Sequence, residues 1–194
     1  MPNDTLRFYA ENAATYATRT GRRIPPQLPK FLAQLSPGAK ILELGTGGGQ
    51  DALYMLEQGF AVTPTDGSPE LANEASRLLG VPVRTMLFEE LDEHENFDAV
   101  YASASLLHAP RKNLPAILTR IHRALKPGGL FWASYKSGDA EGEDKFGRYY
   151  NYLDEAELRT IYATAPWQSL TINSWQGSGY DNLPTDWLSV TAHK

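Results

Sequence analysis

The stretch Glu43-Leu-Gly45-Thr-Gly47-Gly-Gly49 places four glycines and one acid within seven residues. Glycine has no Cβ, so such a run lets the main chain adopt positive φ and pass close to a ligand. Asp66 stands 21 residues after Gly45. At the end of a strand its carboxylate can accept hydrogen bonds from both hydroxyls of a ribose. His108 is the candidate general base, because an imidazole near neutral pKa can take a proton from a hydroxyl, thiol or amine. The competing reading is that it caps the turn into Ala109-Pro110. The chain has 0 cysteines, which excludes disulfides, thiolate metal sites and a Cys nucleophile. Its four histidines lack ligand spacing, so no metal site is expected.

These residues need elements that hold them together. Lys40–Leu44 reads as a buried strand running into the glycine loop, and a helix follows from about 51 to 58. Phe60–Thr65 is a second strand, with Asp66 closing it. Ser68-Pro69 then supplies an N-cap and an N1 proline for a helix to about Leu79. Pro82–Leu87 and Phe97–Ser103 are the third and fourth strands. Pro110–Leu125 is a helix stopped by Lys126-Pro-Gly-Gly129, and Leu130–Tyr135 is the fifth strand. Asp154 to Glu157 is a capping box opening another helix. Ser169–Trp175 and Trp187–Ala192 have no helix between them and should pair as a hairpin. An N-terminal helix precedes the breaker cluster Gly21–Pro29, and Ser137–Asp144 reads as an exposed mobile loop. Strand–helix alternation at this spacing predicts an α/β fold with a largely parallel, doubly wound sheet. Its ligand belongs at the carboxyl ends of the strands, where the order reverses.

With 194 residues, a single domain is expected, residues 1–38 forming a helical cap on a core of 39–194. The first residues lack the apolar region of a signal peptide, and no apolar run reaches the roughly 18 residues of a membrane span. A cytoplasmic protein is therefore expected. Net charge is −5, and residues 41–110 carry twelve acidic and two basic residues. Both argue against nucleic acid or a membrane surface as partner. Oligomeric state is not legible.

Two cofactors fit a strand, glycine loop, helix and ribose acid. A dinucleotide wants G-x-G-x-x-G, but Gln50 occupies the third glycine position, and Glu43 would oppose a pyrophosphate. The spacing E-x-G-x-G-x-G suits S-adenosyl-L-methionine, whose ammonium and sulfonium a carboxylate can meet. An NAD(P)-binding oxidoreductase and a non-catalytic donor-binding domain stay open as alternatives. At this point the sequence resembles the class I S-adenosylmethionine-dependent methyltransferases. Ile41-Leu-Glu-Leu-Gly-Thr-Gly-Gly-Gly49 matches their first motif, and Val62-Thr-Pro-Thr-Asp66 their second strand. Phe97-Asp-Ala-Val-Tyr-Ala-Ser103 matches their fourth strand, and Leu125-Lys-Pro-Gly-Gly-Leu130 the turn into the fifth. Ser103-Ala-Ser-Leu-Leu-His108 and Gly147-Arg-Tyr-Tyr150 are loosely similar to tellurite-resistance methyltransferases.

The resemblance implies a Rossmann-like sheet of seven strands, mostly parallel and ending in an antiparallel hairpin strand. It implies S-adenosyl-L-methionine as methyl donor and S-adenosyl-L-homocysteine as product. Glu43, Gly45, Thr46, Gly47 and Gly49 would line the methionine end, and Asp66 with Gly67 the ribose. Leu87 and Phe88 would flank adenine, and Ser103 would lie near the reacting centre. Cytosine-C5 chemistry is excluded by the missing cysteine. Exocyclic amino methylation of DNA is excluded because Ser103-Ala-Ser-Leu-Leu stands where that chemistry needs Asn/Asp-Pro-Pro-aromatic. A small-molecule acceptor is thus expected, with Tyr16, Arg148 and Tyr149 as its contacts and Arg148 meeting an anionic group. Trp175 and Trp187 read as packing for the final hairpin.

Overall fold

The computed structural model describes residues 3–19, 24–179 and 183–194. The chain opens with three short helices, α1 (Asn3–Glu11), α2 (Ala13–Arg19) and α3 (Gln27–Leu32). Alternating strands and helices follow: β1 (Lys40–Leu44), α4 (Gln50–Glu57), β2 (Ala61–Asp66), α5 (Pro69–Leu79), β3 (Arg84–Thr85) and β4 (Phe97–Ala102). Then come α6 (Leu114–Ala124), β5 (Leu125–Lys136), β6 (Glu141–Glu143), β7 (Tyr149–Asn151), α7 (Glu155–Tyr162), β8 (Ser169–Ser178) and β9 (Pro184–His193).

Seven strands form one sheet in the order β3-β2-β1-β4-β5-β9-β8. The first five are parallel, and β9 runs antiparallel to both β5 and β8. The expected fold class holds. The order reverses between β1 and β4, so their carboxyl ends open a crevice at the topological switch point. On one face α6 and α7 bury a core including Val100, Phe131, Ile117 and Leu158. On the other, Phe31 of α3 and Met55 of α4 pack against Ile41, Tyr101 and Trp132. Helix α1 packs through Tyr9 against Leu71 of α5.

Local signals explain most boundaries. Ser68 Oγ accepts from Leu71 N with Pro69 in the first turn of α5, and Gly80 ends it at φ 66°. Asp154 and Glu157 cap each other's amides at α7. Several expectations change, and β5 starts at Leu125 rather than Leu130. Strand β3 is two residues long rather than Pro82–Leu87, since Pro82 has no N–H to pair. Helix α6 starts at Leu114, because Arg111–Asn113 forms a 3₁₀ turn after Pro110. The expected loop 137–144 contributes β6, which pairs with β7 as a separate two-stranded sheet. The cluster Gly21–Pro29 contains the start of α3, while its residues 21–23 lie outside the described ones. No described helix is long and apolar enough to cross a membrane.

Candidate active site

The carboxyl ends of β1, β2 and β4 open into a cavity of about 530 Å³. Its floor is the glycine loop. Gly45, Gly47 and Gly49 have φ of 79°, 56° and 87°, a region that excludes most side chains. At Gly45 a Cβ would stand 2.5 Å from Ser105 Cβ, so the loop can run here only as glycine. At Gly47 a Cβ would come within 3.2 Å of the Tyr16 ring, which roofs the loop from α2. Gly49 instead turns the chain into α4. The loop is tied to β2 by Gly45 N and Thr46 N, which both donate to Thr65 O at 2.9 and 2.8 Å.

Asp66 organises the same loop from the end of β2. Its Oδ2 accepts from Gly47 N and its Oδ1 from Ser68 N, each at 2.9 Å. Burial raises its pKa to about 6 despite these amides. Glu43 is 2 % exposed, and its Oε2 has no hydrogen-bond partner. Burial lifts its pKa to about 8, Asp51 and Asp66 pushing the same way and the Thr46 hydroxyl opposing them. Asp51, in the first turn of α4, is raised to about 6 by burial, and it accepts a hydrogen bond from Tyr101 Oη at 3.1 Å. A buried carboxyl with one unpartnered oxygen beside a glycine cradle fits a cationic ligand packed close to the main chain. Among the described residues, no group of three or more His, Asp or Glu side chains could hold a metal.

The loop after β4 forms the far wall. Ala104 has φ 49°, a strained value for a residue with a Cβ, and its N–H is held by Ser134 Oγ of β5 at 2.8 Å. Ser105 Oγ is buried without a partner. His108 is 3 % exposed. Its Nδ1 lies 2.7 Å from Tyr149 O, and a carbonyl can only accept, so Nδ1 carries the proton. Nε2 then accepts from Tyr9 Oη at 2.9 Å. Burial lowers the pKa of His108 to about 4, with the charges of Arg148 and Lys136 adding to it, so the ring is neutral. Both ring nitrogens are engaged within the protein, which leaves neither for direct contact with an acceptor.

Of the residues singled out in the sequence, Glu43, Gly45, Thr46, Gly47, Asp66, Gly67, Phe88, Ser103, His108 and Tyr16 line this one cavity. Four do not. Gly49 caps α4. Leu87 donates its amide to Glu90 Oε2 at 2.7 Å. Arg148 pairs with Asp144 at 2.6 Å and lies over the rings of Phe8, Phe146 and Tyr150, 4 % exposed. Tyr149 turns its hydroxyl to Glu141, while its main-chain N–H donates to Thr5 Oγ1 at 2.8 Å. Arg148 thus does not itself line the cavity: Asp144 holds the guanidinium, which also donates a hydrogen bond to the cavity-lining Tyr9. Asp51, Ser105, Trp132, Trp175 and Trp187 also line the cavity. Trp175 and Trp187 do pack on each other as expected, directly opposed across β8 and β9, and the stacked pair also faces the site.

A family model described as Methyltransferase domain matches residues 16–172. An uncharacterized methyltransferase of Synechocystis sp. is 38% identical over 109 residues, 54% of this chain and 50% of the relative. A ubiquinone biosynthesis O-methyltransferase of Paramagnetospirillum magneticum is 35% identical over 99 residues, 48% of this chain and 39% of the relative. The chain thus spans half or less of the length of these curated relatives. The crystal structure of Burkholderia thailandensis 1,6-didemethyltoxoflavin-N1-methyltransferase is similar at TM-score 0.75 and 26% identity, covering 100% of this chain and 90% of that one. It contains 1,6-didemethyltoxoflavin and S-adenosylhomocysteine.

Proposed function

The chain belongs to the methyltransferase domain family, and from that premise we propose that it transfers a methyl group from S-adenosyl-L-methionine to a small-molecule acceptor. The observation that carries this reading is Glu43: a buried carboxyl with an unpartnered oxygen beside a glycine cradle. Such a group is costly unless a ligand brings positive charge to it. Glu43 and the close-packed main chain of Gly45, Thr46 and Gly47 line the methionine end. Asp66, with Gly67, holds the ribose while keeping Gly47 in place. Phe88 gives adenine its apolar face, with Leu87 behind it, and Ser103 borders the reacting centre. The donor supplies an activated methyl for an in-line displacement, and the protein's part is chiefly positioning.

His108 serves this chemistry through Tyr9. The Tyr9 hydroxyl donates to Nε2 while its oxygen accepts from Arg148, which fixes the phenol at the cavity that it lines. His108 is then a positioning residue, in place of a base that touches the acceptor. Residues 1–38 are read as a cap on the core 39–194, supported by Tyr9 and Tyr16 at the cavity. Net charge −5 and the absence of cysteine support a metabolite acceptor and a cytoplasmic setting. Calorimetric titration with S-adenosylmethionine, S-adenosylhomocysteine and NAD tests the proposal. Binding of the first two and not the third is expected. NAD binding without response to the methyl donor would overturn it.

A further inference from the structure

We propose that the acceptor is a flat aromatic molecule, neutral or cationic and never anionic, seated between the tryptophan wall and Asp51. The inference rests on the methyl-donor reading above and concerns the other half of the same cavity.

The wall is built from three strands. Trp132 of β5 stacks on Tyr101 at 4.9 Å and 12°, and the Tyr101 hydroxyl reaches Asp51. Trp175 of β8 and Trp187 of β9 stack at 6.0 Å and 10°. Three of the four tryptophans of the chain therefore border one cavity. Indole faces bind flat rings by stacking and carry negative potential that attracts cations. Trp132 and Trp187 are 6 % and 9 % exposed and Trp175 is half-buried, and all three border the cavity.

Charge narrows the class further. The cavity is lined by Glu43, Asp51 and Asp66, and by no Lys or Arg among the described residues. His108 is held neutral by its burial. Arg148 does not border the cavity itself: it is tied to Asp144 and stands behind Tyr9, to which it donates a hydrogen bond. With the donor in place, its cationic groups answer Glu43, and Asp66 is engaged by the ribose and by Gly47. Asp51, whose neutral partner is Tyr101, remains to meet the acceptor. An anion placed there would face the Asp51 carboxylate with no Lys or Arg in the described lining to compensate it.

Calorimetry on the protein saturated with S-adenosylhomocysteine tests this with four probes: isoquinoline, N-methylisoquinolinium, an isoquinoline carboxylate and N,N-dimethyldecahydroisoquinolinium, a saturated ring that carries the same charge as the aromatic cation. The first two should bind, and the saturated ring and the carboxylate should each bind about tenfold more weakly. Trp175→Ala and Trp187→Ala should each weaken the aromatic probes by about tenfold while leaving S-adenosylhomocysteine affinity unchanged. Asp51→Asn should erase the difference between the cationic and anionic probes and spare the neutral one. Carboxylate binding as tight as the cation, or tryptophan variants that bind every probe like wild type, would overturn the proposal. The same titrations on the protein alone read the selectivity of the wall separately. Failure of S-adenosylhomocysteine to bind there would strike the donor reading and not this one.

Discussion

Glu43→Gln is the perturbation that most directly tests the site. Burial, with Asp51 second, lifts the Glu43 carboxyl from 4.5 to about 8. At about 1.4 kcal/mol for each tenfold change, ionising Glu43 in place costs on the order of 5 kcal/mol more than in water. At pH 7 the ligand-free side chain is therefore about nine-tenths protonated. A cationic donor favours the ionised form, so donor binding at pH 7 should expel about one proton from this group. The bound protein holds fewer protons than the free protein, so raising the pH tightens binding. Affinity should rise up to about tenfold per pH unit until the pH passes about 8, where the free carboxyl has also ionised. Calorimetry in phosphate and in Tris, which differ in ionisation enthalpy, counts the expelled protons. Wild type should release about one, and Glu43→Gln close to none, with affinity reduced by about tenfold or more and nearly flat in pH. The ligand-free variant should also be more stable at pH 7 by up to about 3 kcal/mol, since a neutral amide has no ionisation to resist. Equal proton release and equal pH slope in both proteins would refute the argument.

Asp66→Ala should weaken donor binding by roughly 1–3 kcal/mol, because it leaves the Gly47 amide and the ribose hydroxyls without their acceptor; titration calorimetry reads it. Gly45→Ala should abolish measurable donor binding and lower thermal stability, since the new Cβ meets Ser105 Cβ at 2.5 Å with φ at 79°; wild-type behaviour in both assays would count against the cradle. His108 has its pKa lowered from 6.5 to about 4, so the folded state binds fewer protons than the unfolded one between those values. Its contribution is present above 6.5 and is lost as pH falls toward 4. Urea titrations should show stability falling over that window in wild type and less steeply in His108→Gln, by up to about 3 kcal/mol at the acid end.

The parts of this protein visible in its sequence are those governed by neighbours along the chain. The glycine loop, the Ser68-Pro69 start of α5 and the Asp154–Glu157 box are local signals, and each stands where the spacing placed it. Asp66 could be placed in the site because a strand end fixes its position relative to the loop. Side chains whose surroundings come from distant elements were not legible in this way. Arg148 read as an anion-binding group, but the turn after β6 brings Asp144 against it. His108 read as either a general base or a cap of the turn into Ala109-Pro110, but Tyr9 and Tyr149 arrive from helix α1 and strand β7 to occupy both nitrogens. No periodicity in the sequence announces those meetings. For Trp175 and Trp187 the pairing was legible and the exposure to the cavity was not, because it depends on where the hairpin ends relative to β5.

The charge of the cavity bears on turnover as well as on recognition. On the proposed reaction, methyl transfer removes the sulfonium charge while Glu43, Asp51 and Asp66 stay in place. The donor answers the buried carboxylates better than the product does, and the difference grows as desolvation strengthens each interaction. Once the positive charge has gone, the cheapest response for Glu43 is to take back a proton, since its pKa near 8 makes the neutral form the resting one at pH 7. Reprotonation returns the site to its ligand-free state and leaves the product with one fewer ionic contact than the donor had. The same carboxyl can thus favour the donor on entry and loosen the product on exit, and no moving part is required beyond the proton.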